Sequence, residues 1–128
     1  MEPQARIWLT LASLSGLMAV GAGAFGAHGV ADPEAKAWLQ TGAHYQLTHA
    51  LAVFACFVLW RMGAGAAQAA AWMFLAGGFI FAGTLYLMAL GAPRWLGAVT
   101  PIGGVLLLAG WAFLAWACFA GTKSGPIV

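Results

Sequence analysis

The chain has 128 residues, 63% of them hydrophobic and only 6% charged, with a formal net charge of +2. A soluble domain carries roughly 25% charged residues, so so few charges cannot clothe a water-facing surface, and the solvent must be mostly lipid. The small net charge gives no electrostatic footprint for nucleic acid, and the length suits one domain.

A membrane-spanning helix needs about 20 predominantly apolar residues, and four segments qualify. The first runs from about Ile7 to Ala27. Its n-region carries Arg6, and small residues surround Ala24 and Ala27, as in a signal peptide. Its apolar stretch of about 21 residues is longer than the 7–15 of a signal core, so it is expected to be a retained helix. The small-xxx-small pairs Ala12/Gly16, Ala19/Gly23 and Ala22/Gly26 predict close helix packing, because lipid provides no hydrophobic drive for association.

The second segment runs from about Ala37 to Trp60. Asp32-Pro33-Glu34 ahead of it reads as an N-cap, a proline at the first helical position and an acid in the first turn. The helix should therefore begin before the hydrocarbon. The third runs from about Ala67 to Leu90 and is stopped by Gly91-Ala92-Pro93. The fourth runs from about Val99 to Ala120, started by Thr100-Pro101. Gly78/Ala82 and Thr100/Gly104 are further small pairs in these two helices. Trp38, Trp60, Trp95 and Trp116 fall near predicted ends, where aromatic belts form. Cys56 and Cys118 each sit in an apolar run, too far apart for a CxxC pair, and are expected to act as small hydrophobes.

Four spans leave both termini on one side. Arg6, Arg61 and Lys123 flank that side, against Lys36 and Arg94 on the other, which favours cytoplasmic termini. The expected fold is all-α: a compact bundle of four transmembrane helices with short loops, in which residues 1–128 form one domain.

Chemistry concentrates in helix 2. Polar side chains are costly in a bilayer, so their direction carries information. At about 100° per residue, Gln40, His44, Thr48, Thr41, Tyr45 and His49 occupy one half of the helix, with Leu47, Phe54 and Phe57 opposite. This polar stripe should face the bundle or a wet cleft, and Gln46 is the exception to it. His28 closes helix 1 and should approach the start of helix 2. A metal or haem site would draw on His28, His44 and His49, but helices 3 and 4 contain no histidine. His44 and His49 are also not at the spacing of three or four that two ligands on one helix face require. The ordinary alternative is that these histidines hydrogen-bond between helices. No Asp or Glu lies inside a predicted span, so proton-coupled transport would have to rest on His49. Ser13 and Ser15 have no base near them in sequence, no phosphate loop is present, and no catalytic residue is assigned.

Four ordered motifs resemble one family. They are Gly21-Ala22-Gly23-Ala24-Phe25-Gly26-Ala27-His28, then Trp38-Leu39-Gln40-Thr41-Gly42 with Tyr45-Gln46 and His49-Ala50-Leu51-Ala52. Phe81-Ala82-Gly83-Thr84-Leu85-Tyr86 follows, and then Thr100-Pro101 with Gly103-Gly104 and Gly110-Trp111. Together they resemble the domain-of-unknown-function 423 family of small bacterial inner-membrane proteins. The resemblance covers nearly the whole chain and implies four helices in the inner membrane, but no particular activity. Ala82 and Thr84 depart from a Ser-Gly-Ser pattern, and His44 stands where the family tolerates other polar residues. His28, Tyr45, Gln46 and His49 are left as the shared candidates.

The expected function is that of a non-enzymatic accessory or small binding module with no cofactor. Its surroundings would be the lipid bilayer, and self-association or a larger membrane complex is open to it. A transporter or channel using the helix 2 stripe is the alternative, and a haem- or metal-binding protein is the third.

Overall fold

A computed structural model describes residues 1–121 as four long helices; Lys123 lies outside the described residues. α1 spans Pro3–His28, α2 Pro33–Arg61, α3 Ala66–Ala89 and α4 Thr100–Ala120. A 3₁₀ helix, Arg94–Ala98, leads into α4. All four are long and apolar enough to cross a bilayer.

The helices start where backbone chemistry starts them, not where apolarity does. α1 begins at Pro3 and α2 at Pro33, each ahead of the first sustained apolar residue. Asp32 caps α2 by accepting a hydrogen bond from Ala35 N at 2.9 Å, which satisfies one of the free N–H groups of the first turn. α2 and α3 end in the same way. Gly63 (φ 97°) and Gly91 (φ 105°) hold left-handed backbone. The next residue then closes back on the helix, Ala64 N to Leu59 O at 3.0 Å and Ala92 N to Leu87 O at 2.9 Å. This Schellman closure favours glycine because a Cβ is strained at such φ.

The helices pack in series: α1 on α2, α2 on α3, and α3 on α4. The backbones of α1 and α4 do not approach each other, so the bundle is open between its first and last helix. α1 is the least covered helix, with Leu17, Val20 and Leu14 outward. Such surface needs no protein cover where the solvent is hydrocarbon.

Small residues set the contacts, as expected in lipid. The α1 pairs face α2: a Cβ on Gly23 would meet Ala43 at 3.5 Å, and one on Gly26 would meet Leu39 at 3.0 Å. The α3–α4 crossing is closer. A Cβ on Gly103 would stand 2.5 Å from Phe81 N and 2.8 Å from Gly77 O, so the two backbones touch there. Beside it, the Thr84 and Thr100 hydroxyls are 2.6 Å apart, and Thr84 Oγ1 also lies 2.9 Å from Ile80 O. The main core gathers Trp8, Ala12, Val53, Cys56, Phe74 and Leu107. Trp8 is fully buried and T-shaped against Trp60 at 5.2 Å, and its indole N–H has no acceptor among the described residues.

At one end of the bundle, Arg94 pairs with Glu34, with Nη1 3.1 Å from Oε2. Its guanidinium also lies 5.4 Å from the centre of the Trp38 ring. This ties the first turns of α2 to the 3₁₀ helix that precedes α4.

Candidate functional site

α2 carries two opposite seams. Ala35, Leu39, Gly42, Gln46, His49, Val53 and Cys56 are buried, and they recur at alternating steps of four and three. That is the repeat by which one helix packs along another with a shallow left-handed crossing. Five of the seven are apolar and mostly small. The other two, Gln46 and His49, are 2% and 6% exposed. Buried polar groups require partners, and both have them.

Gln46 links three helices. Tyr86 on α3 donates its hydroxyl to Gln46 Oε1 at 2.7 Å. Gln46 Nε2 donates to Ser15 Oγ at 3.3 Å and lies 3.4 Å from Met18 Sδ, both on α1. Gly42, one turn before Gln46, makes room for the Tyr86 ring, since a Cβ there would lie 2.6 Å from Cε1. Gly42, Gln46 and Tyr86 thus form one fitted unit.

His49 joins α2 to α4. Trp111 Nε1 is 3.0 Å from His49 Nε2, and His49 Nδ1 is 2.6 Å from Tyr45 O. An indole N–H can only donate and a carbonyl can only accept. Nε2 is therefore the bare nitrogen and Nδ1 carries the proton, so the imidazole is neutral. Phe74 and Trp111 wall the ring at 5.5 and 5.8 Å. With both nitrogens engaged, no lone pair is free for a metal.

Between α1 and α3, which meet only slightly, a cleft of about 400 Å³ opens toward lipid. Leu11, Leu14 and Met18 of α1 form one wall, and Trp72, Leu75 and Phe79 of α3 form the other. Its floor holds Ser15 and Gln46. The floor offers one free donor, the Ser15 hydroxyl, which has no acceptor among the described residues, while two long hydrogen bonds hold the Gln46 amide N–H groups.

The inward polar stripe expected on α2 is corrected by this arrangement. Gln40, Thr41, His44, Tyr45 and Thr48 are all exposed on the outer side of the helix. Gln46, the exception to the stripe, lies at the centre of the buried arc. The physical reason is steric. In lipid the face that packs is the one that lets backbones approach, and Ala35, Gly42, Ala43 and Ala50 define it more strongly than hydroxyls do. Thr48 and Tyr45 do not need the bundle interior: Thr48 Oγ1 donates to His44 O at 2.8 Å, and Tyr45 lies against Phe81 at 4.7 Å. Of the six stripe residues, only His49 turns inward, where it bonds to Trp111 of α4.

His28 is exposed at the end of α1. The end of α1 does meet the start of α2, through Gly26 on Leu39 and through Lys36 Nζ, 3.3 Å from Ala27 O. His28 itself joins no cluster. Among the described residues, no three His, Cys, Asp or Glu side chains come together. His28, His44 and His49 therefore do not come together as a set of three ligands. The residues that reasoning from helix 2 alone missed are Ser15, Tyr86 and Trp111. Tyr86 carried a signal, as one of only two tyrosines in the chain and set in a mostly apolar helix.

Comparison with known proteins agrees with this architecture. The family model described as "Protein of unknown function (DUF423)" matches residues 22–104. The UPF0382 membrane protein YwdK of Bacillus subtilis is 37% identical over 111 residues, covering 83% of this chain and 90% of its own. A UPF0382 membrane protein of Staphylococcus aureus is 37% identical over 118 residues, covering 89% and 96%. The UPF0382 inner membrane protein YgdD of Escherichia coli is 39% identical over 113 residues, covering 85% and 86%. No solved structure matches the chain. The four apolar helices and these relatives make the chain a four-helix membrane protein that belongs to the DUF423 family.

Proposed function

We propose that this protein is a non-enzymatic binding module of the bacterial inner membrane, and that its ligand enters the α1–α3 cleft sideways from the lipid. The carrying observation is the pairing of apolar walls with a polar floor at Ser15 and Gln46, where the Ser15 hydroxyl is free to donate. The volume of about 400 Å³ falls within the range of roughly 300–1,000 Å³ that small-molecule sites occupy. The cleft fits a chain-like apolar molecule bearing one hydrogen-bond acceptor, such as a carbonyl oxygen. Bulk phospholipid suits it poorly. Ser15 and Gln46 lie near the middle of α1 and α2, well away from the depth at which headgroups sit. The inner-membrane assignment follows the E. coli relative YgdD, named as an inner membrane protein.

The test is native mass spectrometry of protein extracted gently from its own membrane. Adduct mass on the 13.2 kDa chain is expected in the parent. It should be lost in Ala76→Trp, which fills the cleft from its exposed edge, and reduced in Ser15→Ala. A bare chain in the parent, or an adduct indifferent to Ala76→Trp, refutes the reading.

We further infer that both termini are cytoplasmic. Arg6 and Arg61 are exposed and make no side-chain hydrogen bond among the described residues, whereas Arg94 is paired with Glu34 and Lys36 reaches Ala27 O. The partly neutralised end is the easier one to translocate. A single cysteine at Ala92 in a background free of Cys56 and Cys118 should react with an impermeant maleimide in intact spheroplasts. Protection there, with labelling near Gly65 instead, reverses the orientation.

A further inference from the structure

We propose that the outer face of α2 is a self-association surface, and that what covers it is a second copy of this chain. Ala37, Thr41, His44, Thr48, Leu51 and Ala55 are all exposed. They repeat the four-three spacing of the buried seam, displaced by two residues and so turned to the opposite side of the helix. α2 thus has two packing faces, and the fold of one chain uses only one of them.

The chemistry of the second face marks it as more than a lipid surface. Trp38 and the Glu34–Arg94 pair set one interface level. At about 1.5 Å per residue, His44 lies about 9 Å deeper than Trp38 and Thr48 about 15 Å deeper. The His44 ring has no hydrogen-bond partner among the described residues, and neither does the Thr41 hydroxyl. Polar groups at such depth favour a protein partner over hydrocarbon.

A second copy is the partner this chemistry fits. Copies inserted the same way are related by an axis along the membrane normal, so each residue meets its own counterpart at its own depth. Such an axis favours groups that donate and accept at once. The Thr41 hydroxyl, an imidazole with one ring proton at His44 and, at the edge, the Gln40 amide can each do both, and no Asp, Glu, Lys or Arg stands among the six residues of the face. The small side chains of Ala37, Thr41, Thr48 and Ala55 allow close approach. From Ala37 to Ala55 the contact would run about 27 Å, nearly the thickness of the hydrocarbon. The cleft at Gln46 lies on the other side of α2, so dimer formation leaves it open.

Disulfide crosslinking in isolated native membranes tests this. Single cysteines are placed at Thr41, Thr48 or Ala55 in a background with Cys56 and Cys118 replaced by Ala and Ser, with Leu108→Cys on α4 as the lipid-facing control. With an oxidant, the three α2 variants are expected to shift from the monomer to the mass of two chains, and Leu108→Cys to remain monomeric. Thr48→Trp combined with Thr41→Cys should abolish the shift while the monomer's thermal unfolding in detergent is retained. Absence of dimer at all three positions overturns the proposal. So does equal crosslinking at Leu108, or a product whose mass is not a multiple of this chain.

Discussion

Removing the Gln46 amide tests the candidate site most directly. In Gln46→Leu the side chain keeps nearly the same volume but loses its acceptor, and the Tyr86 hydroxyl, now 2.7 Å from that acceptor, is stranded among apolar groups. Leaving a buried hydroxyl without a partner costs about 1–3 kcal/mol. Hydrogen bonds between membrane helices measure lower, about 0.6 kcal/mol on average and about 1.7 at most, because the chain dissociated within the membrane also finds partners. Tyr86→Phe strands Gln46 Oε1 in turn, yet leaves the ring seated over Gly42. Each single variant should therefore lose about 1–2 kcal/mol. The double variant strands neither group and should lose less than the sum by about 1 kcal/mol. The assay is reversible unfolding in mixed micelles of mild and denaturing detergent, followed by far-ultraviolet circular dichroism. Additivity of the two changes to within about 0.3 kcal/mol would refute the coupling, and with it the claim that Gln46 and Tyr86 hold α2 to α3.

Three further outcomes follow from the geometry. Gly103→Ala drives a methyl into the α3 backbone and should destabilise by about 1–3 kcal/mol, whereas Gly104→Ala meets only Phe81 Cδ2 at 3.9 Å and should be tolerated; equal effects in the same unfolding assay would contradict the backbone contact at Gly103. Nitrogen-15 NMR of the histidine-labelled protein should find His49 as the Nδ1-protonated tautomer, and Trp111→Phe should shift the Nε2 resonance alone; an Nε2-protonated ring in the parent contradicts the Trp111 bond. Arg94→Ala should lower stability by no more than about 1 kcal/mol and less at high salt, since Arg94 and Glu34 are 73% and 47% exposed and such pairs are weak and screened; a larger, salt-independent loss would mean the pair is buried in an assembly.

The number of helices, their approximate limits and the lipid environment were all legible in the chain. The reason is that in hydrocarbon every backbone group must be satisfied within its own helix, so long apolar segments have one available structure. Caps were legible too: Asp32-Pro33 and Gly91 encode a start and a stop through local backbone chemistry. The α1 small pairs correctly marked the face that meets α2.

Which side of α2 turns inward was not legible. The helix carries the four-three repeat twice, once through Ala35, Gly42, Gln46 and His49 and once through Ala37, Thr41, His44 and Thr48, and the second is the more polar. A rule that polar groups hide from lipid selects the second. The structure selects the first, because Gly42 alone leaves space for the Tyr86 ring and Gln46 then stands where the Tyr86 hydroxyl ends. That choice depends on a residue forty positions later in the chain. Trp111 fixes His49 across an even longer separation. Composition and local pattern determined the solvent and the helices, whereas only the fit of distant side chains decided which polar residues became the interior.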